Sequence, residues 1–156
     1  LGREVFGNSI PYECVRIDET ALIGLRWGRM AMAYVSFFNI NSLYKMSDSV
    51  YMHELIHIWQ YHNFGSVYLV RALFAQKSQM QYNYGGVNAL THAIKTRQHF
   101  LDFNFEQQGD LVMDYFRIKY GYKPHWGTGN KNDLVHYKYF LNQIQRMGRV
   151  GVRGGK

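Results

Sequence analysis

Asp48-Ser49-Val50-Tyr51-Met52-His53-Glu54-Leu55-Ile56-His57-Ile58-Trp59-Gln60-Tyr61-His62-Asn63 reads as one helix. Ser47 or Asp48 can serve as its N-cap, and Gly65 is a natural stop. Val50, Met52, Leu55, Ile56, Ile58 and Trp59 make the segment largely buried, so the polar residues inside it need partners. Residues four apart share a helix face, which points His53 and His57 the same way with Glu54 beside them. With 7 His and 5 Glu in the chain, chance yields about 0.01 such H-E-x-x-H matches per sequence of this composition, so the spacing carries information.

Two neutral imidazoles so placed can bind one Zn2+ ion at about 2.0–2.1 Å each. Glu54 can then contact a water on that ion without ligating the metal. The metal lowers the water's pKa toward about 7, and the glutamate takes its proton for attack on a peptide carbonyl. A catalytic zinc usually has three protein ligands and one open position. Glu106-Gln107-Gln108-Gly109-Asp110 sets two acids four apart on another helix. Glu106 is the candidate third ligand, and Asp110 can accept the other ring N–H of a zinc histidine and fix its tautomer. An acidic first turn also suits a helix dipole without any metal.

The rest of the chain arranges itself around these helices. Residues 1–46 read as strands and turns, with Val15, Ile17, Leu22, Ile23 and Leu25 punctuated by Pro11, Asp18-Glu19 and Gly24. Ala33 to Ile40 is aromatic and β-branched and reads as a further strand. After Gly65, Ser66 can cap a second helix to about Gln79, followed by a break at Gly85-Gly86. A third helix is predicted over about 87–100. A fourth, capped by Asn104, runs to about Tyr120, where Gly121 and Pro124 stop it, and a last helix covers about 133–147. The expected class is α+β, a small N-terminal β-sheet followed by a helical bundle carrying the H-E-x-x-H helix. Residues 1–147 form a single domain in this reading, and 148–156 a basic, Gly-rich, disordered tail.

Composition narrows the function classes. The chain has 156 residues, 47% hydrophobic and 19% charged, which is one globular domain and excludes wholesale disorder. A single cysteine, Cys14, rules out an internal disulfide and a four-cysteine zinc site. No apolar run reaches the length of a transmembrane helix. The 18 Lys and Arg exceed the 11 Asp and Glu by 7, and most of that excess lies beyond residue 130. A basic end can bind nucleic acid or anionic lipid, but it is more often a solvated tail, so nucleic acid is not the expected partner. The chain opens on Leu1 rather than Met, as a fragment or processed product would, and residues 1–10 lack a signal-peptide pattern. The compartment therefore stays open. Gly127-Thr128-Gly129-Asn130-Lys131 lacks the spacing of a phosphate loop, and no Ser-His-Asp arrangement has local support.

H-E-x-x-H followed by E-x-x-x-D resembles the gluzincin metallopeptidases. The resemblance is closer to small bacterial zincin-like domains associated with contractile injection and type VI secretion systems. It rests on His53-Glu54-Leu55-Ile56-His57-Ile58-Trp59-Gln60, on Asn104-Phe105-Glu106-Gln107-Gln108, and on Val5 to Ile10 with Val15-Arg16-Ile17 as an opening strand segment. Gly109 departs from the pattern, since such helices more often carry alanine there, at a cost of about 1 kcal/mol in helix propensity.

The resemblance implies a zinc peptidase acting on a protein or peptide. It further implies a bacterial effector, toxin or processing domain, secreted or delivered by a secretion apparatus, with a secretion-system or immunity protein as partner. An oxyanion-stabilising Tyr or His is also expected. Tyr84, beside Gly85-Gly86, is the first choice among Tyr82, Tyr84, His92, His99, Tyr115 and His136. The rival reading is a non-catalytic, zinc-stabilised binding or assembly module. A Glu54 that is not needed as a ligand argues for the enzyme.

Overall fold

A computed structural model describes residues 2–20, 33–42, 45–65 and 82–150. The architecture is α+β, as expected: a small sheet followed by helices. Helix α1 (Gly2–Phe6) precedes β1 (Arg16–Asp18), β2 (Ala33–Ser36) and β3 (Asn39–Ser42). Helices α2 (Asp48–Phe64), α3 (Gly86–Lys95), α4 (Phe105–Lys119) and α5 (Leu134–Val150) follow. The strand order is β1-β3-β2, with β1 parallel to β3 and β2 antiparallel to it.

Four local expectations need correcting. The opening Val5–Ile10 segment is not a strand; Gly2–Phe6 forms a short helix that buries Val5 and Phe6. Ala33 to Ile40 is not one strand, because Phe37 takes a φ of 54° and folds the stretch into the β2–β3 hairpin. The third helix stops at Lys95, where Arg97 turns left-handed at φ 57° and the His99–Asp102 capping box starts a separate 3-10 turn. The last helix is preceded by a 3-10 turn over Lys131–Asp133 and runs on to Val150, past the expected end at Met147. The predicted second helix, the Leu22–Leu25 strand segment and positions 151–156 of the predicted tail lie outside the described residues. No helix among the described residues is long and apolar enough to cross a membrane.

The two long helices that matter form as their sequences dictate. Ser47 is the N-cap of α2, and Gly65 ends it with its N–H on the Tyr61 carbonyl. Asn104 opens α4 with a reciprocal box: its Oδ1 accepts from the Gln107 N–H at 2.9 Å, and Gln107 Oε1 accepts from the Asn104 N–H at 3.0 Å. Every residue of α4 from Phe105 to Phe116 is buried, which makes α4 the centre of the fold. It packs most extensively against α2, with α5 on another side. Trp59, Phe100, Tyr137, Phe140, Ile40 and Ile56 are fully enclosed around this pair. Two buried helices face to face, each carrying polar residues, fix where the chemistry sits.

Candidate metal centre

The α2–α4 interface brings the predicted residues together. His53 and His57 come from one face of α2, and Glu106 and Asp110 from one face of α4. His53 Nε2 lies 3.1 Å from His57 Nε2. Glu106 Oε2 lies 3.4 Å from His53 Nε2 and 3.5 Å from His57 Nε2. All three side chains are buried, and their three donor atoms lie within 4.8 Å of one another. This set can hold a metal ion. The expected role of Asp110 also has its geometry: its Oδ1 accepts from His53 Nδ1 at 2.8 Å, leaving Nε2 to face the cluster.

His57 has an equivalent support that the sequence reading missed. Its Nδ1 donates to Gln60 Oε1 at 2.7 Å. The Gln60 amide in turn donates to the Phe105 carbonyl at 3.0 Å and to Gln108 Oε1 at 2.9 Å. Gln108 donates to the Phe103 carbonyl at 2.8 Å. Gln60 and Gln108 are both completely enclosed. The signal was present: Gln60 lies three residues after His57, on the same face of a buried helix, where a polar group needs a partner.

Gly109 also has a reason. A methyl group at this position would stand 2.6 Å from His53 Cε1 and 2.7 Å from Nδ1, so the imidazole lies directly against the glycine. The glycine in place of alanine makes room for the His53 ring.

Glu54 is buried beside the three donors but is not one of them. Its charge acts on both histidines and on Tyr82. Burial alone would push the His53 pKa down. The hydrogen bonds to Asp110 and Glu106, with the charges of Glu54 and Asp110, outweigh it and hold it up at about 10. His57 is raised in the same way: burial opposes, and Glu106 prevails. Burial would raise the Glu106 carboxyl, but the two histidines hold it well below the usual carboxylate range.

Tyr84 is not brought to this cluster. Its hydroxyl is buried, donates to Asp114 Oδ2 at 2.8 Å and meets the Tyr137 hydroxyl at 2.8 Å. Among the other aromatic candidates, Tyr82 is the one beside the donors. Its ring centroid lies 6.1 Å from that of His53. Burial, then Glu106, Asp110 and Glu54, push its phenol pKa up, so it stays protonated. Tyr115 donates to Glu4, His99 caps the turn at Phe100, and His136 contacts the Asp133 carbonyl.

The chain is similar to the type VI secretion system spike protein VgrG2b of Pseudomonas aeruginosa. The two are 29% identical over 131 residues, which takes in 76% of this chain but 12% of the relative. The chain thus spans a small part of that protein's length. The similarity links it to a secretion-system protein. No family model and no solved structure matches.

Proposed function

We propose that the chain is a zinc-dependent peptidase domain carried by a bacterial secretion system. The observation that carries this reading is the triangle of His53, His57 and Glu106 donors, with edges of 3.1, 3.4 and 3.5 Å. A tetrahedral ion with bonds of about 2.0–2.1 Å spaces its ligands by about 3.3–3.4 Å, so the triangle has the dimensions of one face of a zinc tetrahedron. Two imidazoles and one carboxylate are a donor set of catalytic zinc sites, which leave a fourth position open. Similarity to a spike protein of a type VI secretion system supports delivery or carriage by such an apparatus.

Zinc in this site would supply a Lewis acid and a water of pKa about 7. The chain's own residues supply the rest. Glu54, buried beside the donors without being one, would serve as general base toward such a water and as general acid toward the leaving amine. Tyr82 takes the oxyanion role in place of Tyr84, since its ring lies 6.1 Å from that of His53 while the Tyr84 hydroxyl is bonded to Asp114. Asp110 and Gln60 hold the two imidazoles by their outer nitrogens, so that neither ring turns during the reaction.

The test is metal content with proteolysis. Wild type should hold one zinc per chain, Glu106→Ala should hold it more weakly, and Glu54→Gln should keep the zinc and lose cleavage of an unfolded protein substrate. Zinc with no cleavage under any condition would favour the zinc-stabilised binding module. A wild type that takes up no metal would overturn the reading.

A further inference from the structure

Behind Asp110 stands a segment that the chemistry above does not use. The chain leaves α4 and returns along it as the loop 120–130. Asp114, one turn after Asp110, is completely enclosed and pins that loop. Its Oδ2 accepts from the Trp126 N–H at 3.0 Å and from the Tyr84 hydroxyl at 2.8 Å, and its Oδ1 accepts from the His125 N–H. Upstream, Arg117 Nε donates to the Lys123 carbonyl at 2.7 Å. From the other side the loop rests on the start of α3. A methyl group on Gly86, whose φ is 66°, would stand 3.0 Å from the Trp126 carbonyl oxygen. So fixed, the loop directs the Trp126 indole N–H onto Asp110 Oδ2.

We propose that Trp126 is a positioning residue of the metal centre, acting through Asp110 on His53. This inference rests on the metal reading above. The Asp110 carboxylate is held at both oxygens, Oδ1 by His53 Nδ1 at 2.8 Å and Oδ2 by Trp126. A carboxylate anchored at one oxygen can swing about its Cβ–Cγ bond. Anchored at both, it fixes the plane of the carboxylate and hence the direction of the His53 lone pair. Outer partners of metal-binding histidines are worth about 10–100-fold in metal affinity. The Trp126 contribution, one bond further out, should sit near the lower end of that range. Asp114, Tyr84 and Tyr137 then have a purpose too: they form the buried polar knot that keeps Trp126 on station.

The experiment is a double-mutant cycle on zinc affinity in the full 156-residue chain, read by competition with a chromophoric chelator. Trp126→Phe removes the N–H and keeps an aromatic ring. It should weaken zinc about tenfold. In an Asp110→Ala background the same substitution should change affinity less than twofold, because its target is gone. A structural role alone would give the same factor in both backgrounds, and that result would overturn the proposal, as would unchanged affinity in the single variant. A wild type that binds no zinc would remove the metal reading and this inference together, a different outcome from a wild type that binds it and a variant that binds it equally well. Should Trp126→Phe fail to fold, the wild-type indole N–H of Trp126 gives a second readout by NMR. It should exchange slowly with solvent and shift when zinc is added; fast exchange with no shift would overturn the proposal.

Discussion

Alanine at Gly109 separates two accounts of α4 by the sign of its effect. In an ordinary buried helix position, Gly→Ala gains about 1 kcal/mol of stability from propensity. Here the new methyl would lie 2.6, 2.7 and 2.8 Å from His53 Cε1, Nδ1 and Nε2, against an ordinary contact of at least 3.4 Å. The imidazole must therefore retreat by about 0.8 Å, in a core packed to near-crystalline density. It cannot do so freely, since Asp110 holds Nδ1 at 2.8 Å and the cluster holds Nε2. Overpacking of this kind costs about 1–3 kcal/mol, which cancels or exceeds the propensity gain. We therefore expect Gly109→Ala to leave the metal-free protein unchanged or up to about 2 kcal/mol less stable. Zinc affinity should fall by about 10–100-fold, as for other losses of ligand orientation. Thermal unfolding with and without zinc, alongside chelator competition, measures both. A variant about 1 kcal/mol more stable than wild type with undiminished zinc affinity would refute the packing of His53 on Gly109, and with it the account of why glycine stands there.

Three further outcomes follow from the same geometry. Gln60→Leu strips the acceptor from His57 Nδ1 and the donor from the Phe105 carbonyl and Gln108 Oε1; it should destabilise the fold by about 2–5 kcal/mol in denaturant titration and weaken zinc about 10–100-fold. Asn104→Ala removes the α4 cap and should cost about 1 kcal/mol, lowering the Tm by about 2–4 °C, while Asn104→Asp should restore most of it. Protons compete with metal for His53, whose pKa is raised from 6.5 to about 10 in the metal-free fold, against burial and by its bonds to Asp110 and Glu106. A raised histidine stabilises the metal-free fold fully below pH 6.5 and loses that contribution as pH climbs toward about 10, so metal-free protein should weaken across that window. Zinc affinity should rise with pH over the same range, and calorimetry at pH 7 in buffers of different ionisation enthalpy should show at least one proton released per zinc bound; no proton release would contradict the raised His53.

The parts of the site that were legible in the sequence are those fixed by local geometry. The His53/His57 spacing and the Glu106/Asp110 spacing are each one helical turn, and helix geometry alone sets their faces. Gly65 and Asn104 act through neighbours within four residues, so these helix ends were legible as well, although Ser47 opens α2 without a side-chain cap bond. What escaped depends on long-range contact. Gln60 meets Gln108 across 48 residues, and the parallel pairing of β1 with β3 skips β2. Phe37 gave no turn signal because an aromatic residue seldom takes a positive φ. Tyr82 and Tyr84 differ by two residues and cannot be told apart by composition. Only the fold shows one beside His53 and the other bonded to Asp114.

The direction in which the imidazoles spend their hydrogen bonds is the strongest argument against a mere core pair of histidines. Here the outer nitrogens receive acceptors from the protein, Asp110 Oδ1 for His53 and Gln60 Oε1 for His57. The inner nitrogens face each other at 3.1 Å and both lie near one carboxylate oxygen, Glu106 Oε2. Glu54, Glu106 and Asp110 crowd the same interior and outnumber the two imidazoles. A divalent cation among the three donor atoms would replace protons held there and offset the carboxylates around it. The supports at the outer nitrogens would then be what keeps the inner ones aimed at it.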